Sequence, residues 1–364
     1  MNLHRLGTIV GVDLRQRVRS VAWYVLLGVF ALILLGLLLL SFASFALWSG
    51  GDEWFFSIVI MLVLLLVLLV SPTLSGSAVN GDRDAATLAP VQVTLVTTGE
   101  IVIGKFLAAW ISGLAFLVVA VPFLLVSTFA GGLNPLVILS SLAILVVEIG
   151  IVAAMGVGLS AIVARPLFSV ASTYLIVAAL TIGTLLVFGL GATALRTSQE
   201  VVTRDFDFAA VPDGCDPFAT SSQNGCPSAG EIGCVENTSY TDVPRFDRVW
   251  WVLAANPFVI LADATPPTYD PDHGSPSDLF SQIAYGVRMA QIAPEPRVEY
   301  DSCATYTSEQ VPDYTTPAQQ IEGTAPSWFV GLLVQIVVAG GLLAWGTART
   351  RTPARRLPPG TRIA

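Results

Sequence analysis

The chain has 364 residues, of which 54% are hydrophobic and 12% are charged, and its mean hydropathy is +0.72. Soluble domains carry about 25% charged residues, so this composition excludes a water-soluble globule and a disordered chain. A net charge of −8 and an isoelectric point near 4.7 argue against a nucleic-acid-binding protein, which needs a basic surface. The composition therefore indicates an integral membrane protein whose main partner is the lipid bilayer.

Residues 1–20 are predicted to form a basic amphipathic helix on the cytoplasmic face. Their apolar side chains recur every three or four residues, at Leu3, Leu6, Val10, Leu14 and Val18. Arginines are interleaved with the last part of this pattern, as expected for a helix that lies on an anionic lipid surface. Two interpretations stay open: such a surface helix, or a simple basic anchor for the first span.

Six apolar segments are long enough to cross a membrane. A helix needs about 20 apolar residues to span about 30 Å of hydrocarbon. The predicted spans cover residues 21–47, 54–79, 103–130, 135–163, 168–194 and 327–347. The fold class that follows is an all-α integral membrane protein, with a large insertion at 195–326 between the fifth and sixth helices.

The segment that joins the second and third spans carries a charged and apolar pattern. Asp82, Arg83 and Asp84 precede a Thr87-Leu88 pair, and Glu100 and Lys105 flank the start of the third span. Residues 99–105 also fit the spacing GxxxxGK. A nucleotide-binding loop needs Ser or Thr at the next position and a buried strand before it, whereas Phe106 follows here and leads into a span.

Glu148 is the one acidic residue deep inside a predicted span. An ionised carboxylate in hydrocarbon is costly, so this side chain should face the bundle interior or a cavity, or carry a proton. Three roles stay open for it: a substrate contact, a proton-sensitive switch, or a structural hydrogen bond between helices.

The insertion 195–326 is acidic and contains every cysteine of the chain. It has 19 Asp and Glu residues against six Arg, and it is rich in Pro, Gly, Asp and Thr, which predicts a loop-rich domain. Four cysteines in an extracytoplasmic segment predict two disulfides, although the sequence leaves three pairings open. They are Cys215, Cys226, Cys234 and Cys303. A zinc site is the competing interpretation, but the spacing contains no CxxC pair.

A shorter apolar run at 249–262 lies within the insertion. It begins near Trp250 and Trp251 and is interrupted at Asn256 and Pro257. About 14 residues are too few to span a bilayer, and Pro257 cannot continue a spanning helix without leaving backbone groups unpaired. The run is predicted to lie at the membrane surface or to re-enter the membrane, with burial inside the outer domain as the alternative.

The positions of Lys and Arg predict the orientation. The N-terminus, the segment 80–105, Arg165 and the tail 348–364 carry all twelve Lys and Arg residues outside the insertion. With six spans, all four regions fall on one side. Because cytoplasmic segments are enriched in Lys and Arg, both termini are predicted to be cytoplasmic and the insertion extracytoplasmic.

The segment 81–105 resembles the cytoplasmic loop of ABC-2 type transporter permeases. In that family a charged E-[RK]-E cluster after the second span precedes a Thr-Leu pair, and a segment ending in E-I-x-x-G-K opens the third span. Here Asp82-Arg83-Asp84, Thr87-Leu88 and Glu100-Ile101 with Gly104-Lys105 take those places, while Leu95 stands where the family usually has Pro. The basic N-terminal helix is similar to the elbow helix of these permeases, and the six spans and outer insertion also agree.

The resemblance implies a non-catalytic transport subunit in the plasma membrane. ATP and Mg²⁺ would be bound by a separate cytoplasmic ABC ATPase, and the permease would pair with a second copy or a sibling chain. Contact with the ATPase would be made by the loop 81–102 and the start of the third span. The candidate coupling residues are Asp82, Arg83, Asp84, Thr87, Leu88, Val91, Leu95, Glu100, Gly104 and Lys105.

Three alternatives to this interpretation stay open. The loop 81–102 is also compatible with a simple interfacial connection. The chain is also compatible with a proton-coupled secondary transporter that uses Glu148, or with a membrane-anchored outer domain of structural or sensory role. Enzyme motifs give no support to a catalytic function. The two histidines, His4 and His273, are far apart in the sequence, so they form no HExxH site, and the sequence has no GxSxG motif.

Overall fold

A computed structural model describes residues 2–47, 52–85, 97–131, 134–212, 215, 226, 232–270, 274–303 and 315–350. These residues are mostly helical, and they include the six membrane-length apolar helices that the sequence predicts. The helices are α2 (Val21–Leu47), α3 (Asp52–Ser75), α5 (Thr98–Gly131), α6 (Pro135–Ile162), the joined pair α7 (Pro166–Ala178) and α8 (Thr184–Ala194), and α13 (Trp328–Thr350).

The ends of these helices follow from local sequence signals. Pro135 and Pro166 occupy the first turn of α6 and α7, where a missing N–H costs nothing. The Asn134 side chain caps α6 by accepting from the Leu136 N–H at 3.0 Å. The second long helix ends at Ser75, four residues before the predicted limit, and a turn leads into the short helix α4 (Asn80–Asp84).

Helix α6 lies at the centre of the bundle and is almost continuously buried from Glu148 to Ala161. Small residues allow its neighbours to approach closely. A Cβ atom at Gly156 would lie 2.0 Å from Ser75 Oγ of α3, and one at Gly158 would lie 2.7 Å from the backbone of Leu342 in α13. Larger side chains at either position would push these helices apart.

One end of the bundle holds the segments that the sequence marks as basic, and it is called the basic end. Helix α1 (Leu3–Val18) packs against the start of α5 there. The Asn80 side chain donates to the Val163 carbonyl at 3.1 Å, and the Ser160 hydroxyl accepts from the Val79 and Asn80 N–H groups. These bonds fix α4 against the end of α6. The cytoplasmic placement of this end stays a prediction.

The opposite end carries a three-stranded sheet, so the all-α prediction is wrong for the insertion. Strand β1 (Arg196–Phe206) pairs antiparallel with β2 (Cys234–Pro244) over eleven residues and parallel with β3 (Arg297–Asp301). Each strand contains Val and aromatic residues, which favour extended backbone. The Asp, Thr and Pro residues around them had suggested loops instead.

Two disulfides join the four cysteines, as predicted. Cys215 pairs with Cys226, and Cys234 at the start of β2 pairs with Cys303, which follows β3. The zinc interpretation gains no support, because no group of three metal-ligating side chains occurs among the described residues. The second bridge ties together the two outer strands of the sheet across β1.

Candidate functional site

The predicted coupling residues that the structure describes gather at the basic end around Lys105. Its side chain is almost fully buried, and Nζ lies 3.3 Å from both carboxylate oxygens of Asp13 in α1 and 2.5 Å from Asp82 Oδ2 in α4. Two carboxylates from two different elements therefore neutralise one ammonium group of α5. Asp13 is 92 residues away in sequence, and no local motif marks it as a partner of Lys105.

Glu100 fixes the first turn of α5. Its carboxylate accepts from the Thr97 N–H at 2.9 Å, while the Thr97 hydroxyl accepts from the Glu100 N–H at 3.3 Å. This reciprocal pair is a capping box, which satisfies backbone N–H groups that a helix start leaves unpaired. The second carboxylate oxygen accepts from the Asn2 N–H at 2.7 Å and so holds the start of α1.

Helix α1 lies on α5 through a face that includes Ile9. A Cβ atom at Gly104 would lie 2.8 Å from Ile9 Cγ2, so the glycine permits this close approach. Further along, Arg17 Nη2 donates to the Leu74 carbonyl of α3 at 2.9 Å. Burial lowers the pKa of Arg17, and the charge of Asp13 opposes that change. Asp13, Asp82, Glu100 and Lys105 with Asn2 are called the junction cluster.

The remaining coupling residues differ in their positions. Arg83 is half-buried and Asp84 is exposed, so these two side chains face outward from the junction cluster. Thr87, Leu88, Val91 and Leu95 lie outside the described residues, as does most of the basic tail. Residues 99–105 are helical, which does not match the loop that a nucleotide-binding motif needs.

A second polar group lies in the middle of the bundle, at the tip of a helical hairpin. The run at 249–262 forms α9 (Trp250–Ala254) and α10 (Pro257–Ala264), with Asn256 between them. Asn256 Oδ1 caps α10 through the Phe258 N–H at 3.0 Å. Its Nδ2 donates to the Thr181 carbonyl at 2.8 Å and to Thr184 Oγ1 at 2.9 Å.

The contacts of Asn256 set the depth of this hairpin, which comprises residues 250–264. Thr181 belongs to the π-helical turn Ala179–Gly183, midway along the joined helices α7 and α8. Such turns interrupt the regular ladder of helical hydrogen bonds. Trp251 remains 60% exposed near the start of the hairpin, and its indole N–H donates to the Arg248 carbonyl. The position of the hairpin in a membrane stays a prediction.

Helix α13 closes the other side of the hairpin tip. A Cβ atom at Gly331 would lie 1.8 Å from the Ala254 carbonyl oxygen, so any larger residue would displace the tip. Gln335 is 1% exposed, and its Nε2 donates to the Ala255 carbonyl at 3.0 Å. The tip is thus held by α8 and the π-helical turn through Asn256, and by α13 through Gln335.

The outer end of the hairpin is fixed by Asp263. Its side chain is fully buried, and Oδ1 accepts from Arg288 Nε of α11 (Leu279–Met289) at 2.7 Å. Oδ2 accepts from the Ser327 N–H, from the Ser327 hydroxyl at 2.9 Å and from the Trp328 N–H at 3.1 Å. One carboxylate therefore joins α10, α11 and the start of α13.

Glu148 lies on α6 near these elements. It is 0% exposed, and neither carboxylate oxygen accepts a hydrogen bond within the part of the chain that the structure describes. The structural hydrogen bond between helices, one of three roles that the sequence left open, is therefore not formed by these residues. The sequence singled out Glu148 and Asn256, but it missed Gln335, Thr181 and Thr184, which are unremarkable without their three-dimensional neighbours.

Comparison with known proteins adds no relative: no protein-family model and no curated protein matches the chain.

Proposed function

We propose that this chain is the membrane-spanning subunit of an ATP-driven exporter of the ABC-2 permease type. In this proposal a cytoplasmic ABC ATPase binds at the basic end and hydrolyses ATP, and the chain itself provides the path across the plasma membrane. A second copy or a sibling permease completes the transporter. The observation that carries the proposal is the junction cluster, since it joins the elements that the family resemblance assigns to coupling.

The junction cluster supports coupling because it connects elements that are distant in sequence. Lys105 ties α4 and α1 to α5, and Glu100 ties the beginning of α1 to the same helix. A partner that moves the segment 81–102 would therefore move α1 and α5 with it. Buried charged pairs are costly to separate, so the three elements are expected to move as one unit.

The hairpin 250–264 suits the opposite end of such a transporter. Its tip is inserted between α8 and α13, and both of these helices hold it by side-chain hydrogen bonds. A shift of either helix would break those bonds and withdraw the tip. In the proposal, the hairpin closes the extracytoplasmic exit until the spans rearrange.

The experiment purifies the tagged chain from its native membranes and measures whether an ABC-type ATPase accompanies it in stoichiometric amount, with vanadate-sensitive ATP hydrolysis. Leu88→Ala combined with Leu95→Ala should reduce that association most, because buried apolar groups contribute about 1.5–3 kcal/mol each. Arg83→Glu with Asp84→Lys should have a smaller effect, since exposed ion pairs are worth about 0–1 kcal/mol.

These variants avoid the junction cluster itself. Reversal of Asp82 would also break its contact with Lys105, so the half-buried Arg83 and the exposed Asp84 give a cleaner test of partner binding. Glu322→Lys, an exposed change in the insertion, serves as the control. The absence of any ABC ATPase, or unchanged association and export in both double variants, would overturn the proposal.

A proton-coupled secondary transporter is the second candidate, and the burial of Glu148 favours it. That candidate requires substrate movement in sealed vesicles that contain no ATP and carry a proton gradient. A structural or sensory role for the disulfide-linked sheet would require neither ATP hydrolysis nor transport.

A further inference from the structure

We propose that Glu148 is the charge-recognising residue of an intramembrane site for an amphipathic primary ammonium compound. The inference rests on the proposed exporter function for its role as a substrate site, and it names the chemical class of that substrate. It is carried by the positions of Glu148 and Gln335 on facing helices, together with oxygen atoms that have no donor among the described residues.

The two side chains lie on stripes that face each other across the α6–α13 interface. On α6, Glu148 is followed at helical spacing by Ile151, Met155 and Gly158. On α13, Gln335 is followed by Ala339 and Leu342. Residues of these stripes pack together: Met155 and Ile151 share a cluster with Ala339, and Gly158 meets Leu342. Side chains three or four residues apart lie on the same helix face.

The register places Glu148 close to the level of Gln335. The helices run parallel, because Gly158 meets Leu342 while Ala161 meets Gly346 further along both chains. Continuing this register backwards brings Ile151 level with Gln335. Glu148 therefore lies about 4.5 Å further along the axis, toward the hairpin and the sheet end.

Three oxygen atoms at this interface have no donor among the described residues. They are both carboxylate oxygens of Glu148 and Oε1 of Gln335, and all three are buried. Gln335 uses its amide N–H to hold the hairpin tip, which leaves its carbonyl oxygen to accept from a ligand. Buried polar atoms are nearly always paired in folded proteins, so three unpaired acceptors at one interface call for a donor.

The number and kind of these acceptors favour an ammonium group over a metal ion. A primary ammonium carries three N–H donors and one positive charge, which match three acceptors and one carboxylate. Calcium and magnesium require six or more oxygen ligands, which these side chains do not supply. Ile151, Met155 and Leu332, which lie on the same two helices, belong to one apolar cluster. We therefore expect the remainder of the ligand to be apolar.

The experiment uses dansylcadaverine, a fluorescent primary amine, and its neutral N-acetyl derivative as probes. The purified full-length chain in lipid nanodiscs is titrated by fluorescence anisotropy without ATP, and empty nanodiscs give the correction for partitioning into lipid. We expect saturable binding of the amine and none of the acetylated probe, because only the amine has the charge that a carboxylate attracts.

Two variants assign the binding to the site. Glu148→Gln should weaken binding at least about tenfold, since it replaces a charge-assisted hydrogen bond by a neutral one. Gln335→Leu should weaken it by about threefold to tenfold, the usual value of one hydrogen bond. Glu148→Asp keeps the charge and should retain part of the affinity, while Glu322→Gln, in the insertion, should match the unmodified chain.

The result that overturns the inference is equal binding by Glu148→Gln and the unmodified chain, or equal binding of both probes. Thermal unfolding of each variant without probe shows that it is folded, and Glu148→Asp supplies a second test if Glu148→Gln is not. The assay contains no ATPase, so its failure is distinct from failure of the exporter proposal. Loss of the ATPase partner would leave a demonstrated amine site in place.

Discussion

Asp263 and Glu148 are both fully buried carboxyl groups, yet their surroundings are opposite. Asp263 accepts hydrogen bonds from a guanidinium group, a hydroxyl group and two backbone N–H groups. Glu148 accepts none from the described residues. A carboxylate with four donors stabilises the contacts that it joins, whereas one without donors lowers the stability of the fold. The difference identifies Asp263 as an acid that stabilises the fold, whereas the presence of Glu148 is not explained by stability.

The largest effect is expected for Asp263→Ala. The substitution leaves the Arg288 guanidinium without its partner and frees the start of α13. Breaking a buried ion pair costs about 3–5 kcal/mol, and the lower end applies because Arg288 is partly exposed. The midpoint temperature of thermal unfolding, measured as the loss of monodisperse purified protein on heating, should fall clearly. The control Glu322→Ala should leave this temperature unchanged. If the Asp263→Ala variant is as stable as the unmodified protein, Asp263 does not stabilise the fold and its contrast with Glu148 fails.

The next effect in size is expected for Asn256→Ala at the hairpin tip. It removes a helix cap and two hydrogen bonds to Thr181 and Thr184, with an expected loss of about 2 kcal/mol. Asn256→Ser retains a capping oxygen but is too short to reach α8. The serine variant should therefore recover only the capping part of the stability. Full recovery by serine would show that the contacts with α8 contribute nothing.

Glu148→Met should act in the opposite direction to Asp263→Ala. It replaces a buried carboxyl group, which has no donor in the part of the chain that the structure describes, by an apolar side chain of similar length. The thermal stability should therefore stay equal or rise. The gain should be about 1 kcal/mol, the low end for removing an unpaired buried polar group, since the unfolded chain in a membrane also finds partners. A loss as large as that of Asp263→Ala would show that Glu148 makes a structural bond.

The smallest effect concerns Asp247, which lies outside the spans. Arg245 donates to it through Nε and Nη2 at 2.8 and 2.7 Å, and this hydrogen-bonded pair lowers the pKa of the Asp247 carboxyl. A lowered pKa stabilises the fold at pH values above about 4, the value in unfolded chains, and the contribution disappears as the pH falls through the folded pKa.

Asp247→Asn should therefore be less stable than the unmodified chain at pH 7, and the difference should vanish in strongly acidic solution. Thermal unfolding at a series of pH values measures that difference directly. A gap that stays constant as the pH falls would mean that the charge of Asp247 contributes nothing. The backbone N–H of Arg245 also holds the end of β2, since it donates to the Ala192 and Leu195 carbonyls.

Hydropathy was enough to predict the six long helices, because each contains a long apolar stretch. Pro257 likewise marked the break in the hairpin. The pairing of Cys234 with Cys303 and the sheet that it crosses were not predictable, because strand pairing brings together residues that are far apart in the chain. A mostly polar strand such as β2 also lacks the apolar alternation by which strands are recognised.

Contacts between distant parts of the chain were also not predictable for the junction cluster and for the surroundings of Glu148. Glu100, Gly104 and Lys105 stood out from the motif, but Asp13 is an ordinary acidic residue until the fold places it beside Lys105. Glu148 was recognisable from its position in an apolar segment. Its carboxyl oxygens accept no hydrogen bond from the residues that the structure describes, and no local pattern in the sequence predicts this.

The bridge between Cys234 and Cys303 turns the hairpin into part of a closed covalent ring. The chain between these cysteines contains α9, α10 and α11, so a single proteolytic cut inside the ring releases no fragment. Closing a ring of this length restricts the unfolded chain by an amount worth about 4 kcal/mol. A hairpin that leaves its seat between α8 and α13 thus stays tethered through β2 and β3, and its return to the seat is an intramolecular step.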